Sequence, residues 1–169
     1  LLVSPYPRWF LLGSKLVASV MVAVMQVYAF LLIAWLWGIR PPWHGYLTVL
    51  PALVLAGVML GSLGLLISSA IRQLENFAGV MNFVIFPMFF ASTALYPLWR
   101  MRESSTLLHD ICALNPFTHA VELIRFALYG RVEPVSLAVT LGCILVFFGG
   151  TVFMYDPAKG LWRGRKGGV

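Results

Sequence analysis

Four residues in the last third of the chain have types that do chemistry: His109, Asp110, His119 and Glu122. His119 and Glu122 are spaced i, i+3, a separation that can place two metal ligands on one face of a helix. A metal centre needs a second such pair, and the sequence has none. His109 with Asp110 would join only if their segment folded back. A site of that kind would make the chain a membrane-embedded enzyme with an interfacial His/Asp/Glu centre. The same spacing also fits a charge-paired helix surface, Glu122 with Arg125 and with His119, and that is the preferred reading.

Other chemistry is missing from the pattern. There is no G-x-x-x-x-G-K-[ST] loop for nucleotide phosphates, and Gly13-Ser14-Lys15 has the wrong order. Neither H-E-x-x-H nor G-x-S-x-G occurs. Cys112 lies in a polar connection and Cys143 in an apolar run, a difference in depth that argues against a disulfide. The sequence implies no catalytic residue, no metal and no cofactor held by this chain.

The element that positions these residues is Asn115–Gly130. Asn115 suits an N-cap, Pro116 the first helical position and Gly130 a left-handed stop. The pattern predicts a short amphipathic helix. Thr118, Glu122, Arg125 and Tyr129 lie on one stripe, and Phe117, Ala120, Val121, Ile124, Ala127 and Leu128 on the other face. It should not cross a bilayer. In the window 107–128, ten Leu, Ile, Phe and Val residues favour insertion by about 3–6 kcal/mol in all, whereas Asp110, Glu122 and Arg125 oppose it by roughly 2.5–3.5 each. The charges win, so the helix is expected at the interface or dipping partway in.

The surrounding sequence is of membrane grade: 60% hydrophobic, 11% charged, with a mean hydropathy of +0.88. The net charge of +6 is read as positive-inside bias rather than nucleic-acid binding, because the basic residues are scattered apart from one cluster at the C-terminus. The fold class expected is all-α and polytopic, with four transmembrane helices and a short external re-entrant or interfacial helix. The spans are placed at 16–37, 47–71, 77–98 and 135–155, the external region at 104–130 and a basic tail at 156–169. In the second span Gly57, Gly61, Gly64 and Ser68 form a small-residue stripe suited to close helix approach. Pro87 is expected to bend the third.

The segment before the first span carries Pro5, Pro7, Arg8, Trp9, Phe10 and Lys15. It fits a membrane-surface anchor or a cytoplasmic helix docking on a partner. The opening L-L-V-S-P, without Met, reads as the middle of a pattern, so the chain is taken as a fragment. Four spans put both ends on one side, with seven basic residues there and five opposite. That side is read as cytoplasmic, with the chain integral to a plasma membrane. The spans hold no charged residue, so energy for any transport would come from a partner.

The order of these parts resembles the permease subunits of ABC-2-type ATP-binding-cassette exporters. The signature is Asn115-Pro116-Phe117-Thr118-His119-Ala120-Val121-Glu122-Leu123-Ile124-Arg125, closed by Gly130, which matches the family's N-P-x-[ST]-x-x-[IV]-[DE]-x-x-R. Two weaker matches are Leu1-Leu2-Val3-Ser4-Pro5 followed by Lys15, and the Phe86–Pro97 exit. His119 stands where the family often has an aromatic residue. The resemblance implies that residues 1–15 form a coupling segment, with Ser4, Pro5, Arg8 and Lys15 facing a nucleotide-binding ATPase subunit. ATP and Mg would be held by that partner, and the permease would pair as a homodimer or heterodimer. It implies an exporter of a hydrophobic or amphipathic substrate such as a drug, a lipid or a lipid-linked glycan. Besides the enzyme, a non-transporting membrane scaffold is the remaining alternative.

Overall fold

The computed structural model describes residues 8–71, 74–95 and 106–154. Among them are six α-helices and no strand: α1 (Arg8–Leu36), α2 (Gly45–Ala70), α3 (Leu74–Phe90), α4 (Thr106–Leu114), α5 (Pro116–Leu128) and α6 (Pro134–Met154). α1, α2 and α6 are long and apolar enough to cross a membrane. The chain is an all-helical integral membrane protein.

The expected third span differs. α3 has 17 residues, about 26 Å at 1.5 Å per residue, short of the ~30 Å hydrocarbon core. It begins at Leu74, before the expected 77, and carries Pro87 inside its last turn. After Phe90 the chain turns at Ala91–Leu95 instead of continuing as helix. Three helices of spanning length are therefore present among the described residues where four spans were expected. The exit from 96 onward, the tail from 155, Ser4 and Pro5 lie outside the described residues.

α1 also departs from the expected boundaries. It runs unbroken over 29 residues, about 43 Å. No break separates Arg8–Lys15 from the first span; those residues extend the spanning helix by about two turns. Lys15 is exposed on it.

α2 is the central helix. Its buried residues, Val49, Ala52, Leu53, Ala56, Met59 and Ser62, recur at helical spacing. α2 packs most extensively on α6 and α5, and also on α1. Ala52 meets Leu123 and Ala127, and Ala56 and Met59 meet Ala120. Leu137, Ile144 and Phe147 of α6 close over the same two clusters. Small residues on both sides let α2 and α5 approach closely, so packing supplies the attraction that the bilayer does not. At Gly45 the approach is closest: a Cβ there would collide with the Leu128 carbonyl.

The small-residue stripe of α2 divides its work. At Gly57 an added Cβ would lie 3.3 Å from Val20 Cγ2, and at Gly61 2.5 Å from Leu16 Cδ1. These two glycines seat α1. Gly64 faces Met81 of α3, and Ser68 is exposed. Gly61→Leu should push α1 off α2 and lower the midpoint of thermal unfolding in detergent, through the ~1–3 kcal/mol typical of overpacking. Gly142→Leu should not, because nothing lies within 4 Å of a Cβ there.

Candidate functional site

α5 starts and stops as its local sequence dictates. Asn115 is extended (φ −77°, ψ 119°), and its Oδ1 accepts the Phe117 N–H at 3.0 Å. Pro116 occupies the first turn, where no donor is missed. At the other end Gly130 has φ +69°. The N–H groups of Gly130 and Arg131 return to the carbonyls of Ala127 and Phe126. Thr48 Oγ1 of α2 donates to Ala127 O at 2.6 Å, tying this end to the central helix.

The helix does not lie with its polar stripe in water. No position from Pro116 to Leu128 is exposed, and Thr118 and Glu122 are among the buried ones. Its apolar face packs on α2 and α6. The polar stripe instead meets the end of α3, and the reason is a need for hydrogen-bond donors. The last carbonyls of a helix have no partner within it and need donors from elsewhere.

The signature residues supply those donors. Asn115 Nδ2 donates to Met88 O and to Ala91 O, each at 2.7 Å. Arg125 Nη2 donates to Thr93 O at 2.6 Å. Ser92 Oγ covers Phe89 O at 2.6 Å. Thr93 Oγ1 reaches back to Thr118 O at 3.5 Å. Arg125 Nη1 donates to Glu122 Oε1 at 2.8 Å. The Glu122 side chain is 10% exposed and that of Arg125 37%. Glu122 holds the guanidinium in place, and the guanidinium holds the loop after α3. Asn115, Glu122 and Arg125 thus form a junction between α5 and the broken end of α3. Phe117 and Phe89 meet edge to face beside it, with ring centroids 6.0 Å apart.

His119 has a separate set of partners. Its Nε2 lies 2.9 Å from Ala113 O at the end of α4, so this nitrogen carries the proton. Nδ1 then accepts from Ser136 Oγ of α6 at 3.5 Å. The imidazole joins α4, α5 and α6. Glu122 is bonded to Arg125 and not to His119, so the expected Glu122–Arg125 pair forms and its extension to His119 does not. His109 pairs with its neighbour Asp110 at 3.2 Å. The four residues of the enzyme alternative are therefore divided among three partnerships. Among the described residues, no three His, Cys, Asp or Glu side chains are grouped to hold a metal ion. Cys112 is a buried free thiol, and burial pushes its pKa up, away from reactive thiolate.

Of the signature set, the structure brings together Asn115, Thr118, Glu122 and Arg125, with Pro116 and Gly130 setting the helix limits. Arg8 opens α1, far along the chain from this junction. Sequence reasoning missed the acceptors, which are the backbone carbonyls of Met88, Ala91 and Thr93. Their one local signal is the run Ala91-Ser92-Thr93-Ala94, small and hydroxyl residues closing an apolar stretch. Thr48 and Ser136 were missed for the same reason: each is an unremarked hydroxyl at the start of a span.

Two of the three helices of spanning length, α2 and α6, hold a capped, buried short helix between them, the arrangement of an integral membrane protein. The profile of the family described as ABC-2 type transporter matches residues 1–129, from before α1 through the whole of α5. The chain belongs to that family. It is similar to Nodulation protein J of Rhizobium leguminosarum bv. viciae, with 28% identity over 105 residues, 62% of this chain and 39% of that protein. Nodulation protein J of Neorhizobium galegae is 26% identical over 105 residues, 62% of this chain and 38% of its own length. The matched region spans about two-fifths of these curated relatives. No solved structure matches the chain.

Proposed function

We propose that this chain is part of the permease subunit of an ABC-2-type exporter. It would move a hydrophobic or amphipathic substrate outward, a drug, a lipid or a lipid-linked glycan, using ATP hydrolysed on a separate nucleotide-binding subunit. ATP and Mg belong to that partner. Two permease chains, identical or related, pair in the inner membrane with the ends of this segment cytoplasmic. The observation that carries the reading is the family match, which includes both the segment before α1 and the Asn115–Arg125 signature.

The packing suggests how the two ends communicate. Closure of the ATPases on ATP would press on residues Ser4–Arg8, with Lys15 beside them. α1 runs unbroken from Arg8, so a push at its start would move it as a rod. Leu16 and Val20 seat on Gly61 and Gly57 and would carry the motion to α2. α2 holds α5 through Ala52 and Ala56, and α5 holds the end of α3. The α3–α5 junction would then brace the external gate.

The test is the double variant Pro5→Asp, Arg8→Asp in the full-length permease. ATP-driven export should be lost while the variant still assembles with its ATPase. Undiminished export would overturn the docking role.

A further inference from the structure

A cavity of about 110 Å³ lies between α2 and α3. Leu60 and Leu63 of α2, Met81, Ile85 and Met88 of α3 and Phe117 of α5 form its walls. All of these are hydrocarbon or thioether side chains. A water molecule there would lack the two to four polar partners it needs, and apolar cavities of similar size, about 150 Å³, stay dry and admit small apolar molecules. The two methionines can adjust to an occupant, since the unbranched thioether fills irregular space.

The cavity is not sealed. Ile85 in its wall is 43% exposed, so the space is continuous with the apolar outer surface of the helices. In a membrane the solvent of that surface is the acyl chain, a linear hydrocarbon that matches the lining. We infer that the cavity is a binding site for one acyl chain of a bilayer lipid, which enters between α2 and α3 and ends against Met88 and Phe117. Asn115 joins these two residues: its Oδ1 accepts the Phe117 N–H and its Nδ2 donates to Met88 O. A seated chain therefore fills the space beside the α3–α5 junction and supports it from below.

The experiment uses the full-length permease in vesicles of phosphatidylethanolamine and phosphatidylglycerol, with a trace of phospholipid carrying a diazirine at the end of one acyl chain. After illumination, mass spectrometry maps the label. Met81, Ile85 and Met88 should be labelled. Gly64→Leu puts a side chain into the cavity, because a Cβ at Gly64 lies 3.9 Å from Met81 Cε. It should cut labelling of Met81 and Met88 about tenfold, equivalent to losing the burial of about two methylene groups, whereas Ile85 also meets bulk lipid and should change less. Labelling of Phe83 and Phe86, on the exposed side of α3, should not change. Label confined to Phe83 and Phe86 in the wild-type protein would overturn the site, whether or not the variant folds. So would unchanged labelling of Met81 in a folded Gly64→Leu protein.

Discussion

Arg125→Met should destabilise the folded permease by about 3 kcal/mol, near the lower end of the cost of breaking a buried ion pair. The low end applies because the arginine side chain is 37% exposed and water screens part of the interaction. Two losses combine. Glu122, only 7% exposed, keeps its charge without a partner, and the Thr93 carbonyl loses its donor. The double variant Arg125→Met, Glu122→Gln separates them. It removes the stranded charge and should recover roughly half, leaving the ~1–3 kcal/mol cost of an unsatisfied carbonyl. Thermal unfolding of the purified permease in detergent reads both steps. A double variant as damaged as the single one would show that Glu122 is not what Arg125 neutralises.

Asn115→Asp makes a sharper contrast. At an ordinary N-cap, Asp replaces Asn almost without cost. Here Asp keeps the acceptor for the Phe117 N–H but removes both donors to α3, and it sets a carboxylate against the Met88 and Ala91 carbonyls. Two orphaned carbonyls at ~1–3 kcal/mol each predict a loss of about 3 kcal/mol. Unfolding midpoints of the Asp and Ala variants, measured side by side, check this. Asp should be at least as harmful as Ala, although Ala also loses the cap. Wild-type stability in the Asp variant would mean that the amide does not hold the end of α3. On the exporter reading proposed above, export should fall in both variants, since the end of α3 loses its anchor.

The limits of α5 were legible because capping is local. Asn115 bonds a donor two residues away, Pro116 needs no partner, and Gly130 adopts φ +69° by itself. The close approach of α1 to Gly57 and Gly61 was legible as a tendency, but the identity of the approaching helix was not. Spacing along one helix shows that a surface is flat, and not what lies on it.

Two places were left short of the folded arrangement for one physical reason. A span over residues 77–98 was expected because they carry no charge, and α5 was expected at the interface or dipping partway in because its charges oppose insertion. Both rules treat each segment as alone with its solvent. In the folded protein α3 stops short and α5 turns its polar side inward, because each satisfies the other: the carbonyls at the end of α3 need donors, and Asn115 and Arg125 need acceptors. The partners are 24 to 32 residues apart in the chain, and in each pair the acceptor is a backbone oxygen that no side-chain pattern marks. Composition and apolar runs by themselves determined the membrane setting and the helical class, and the Asn115–Arg125 motif the family resemblance. Only the tertiary structure decided that the signature is a clasp on a neighbouring helix, since hydrogen-bond satisfaction of buried groups is settled among elements and not within one.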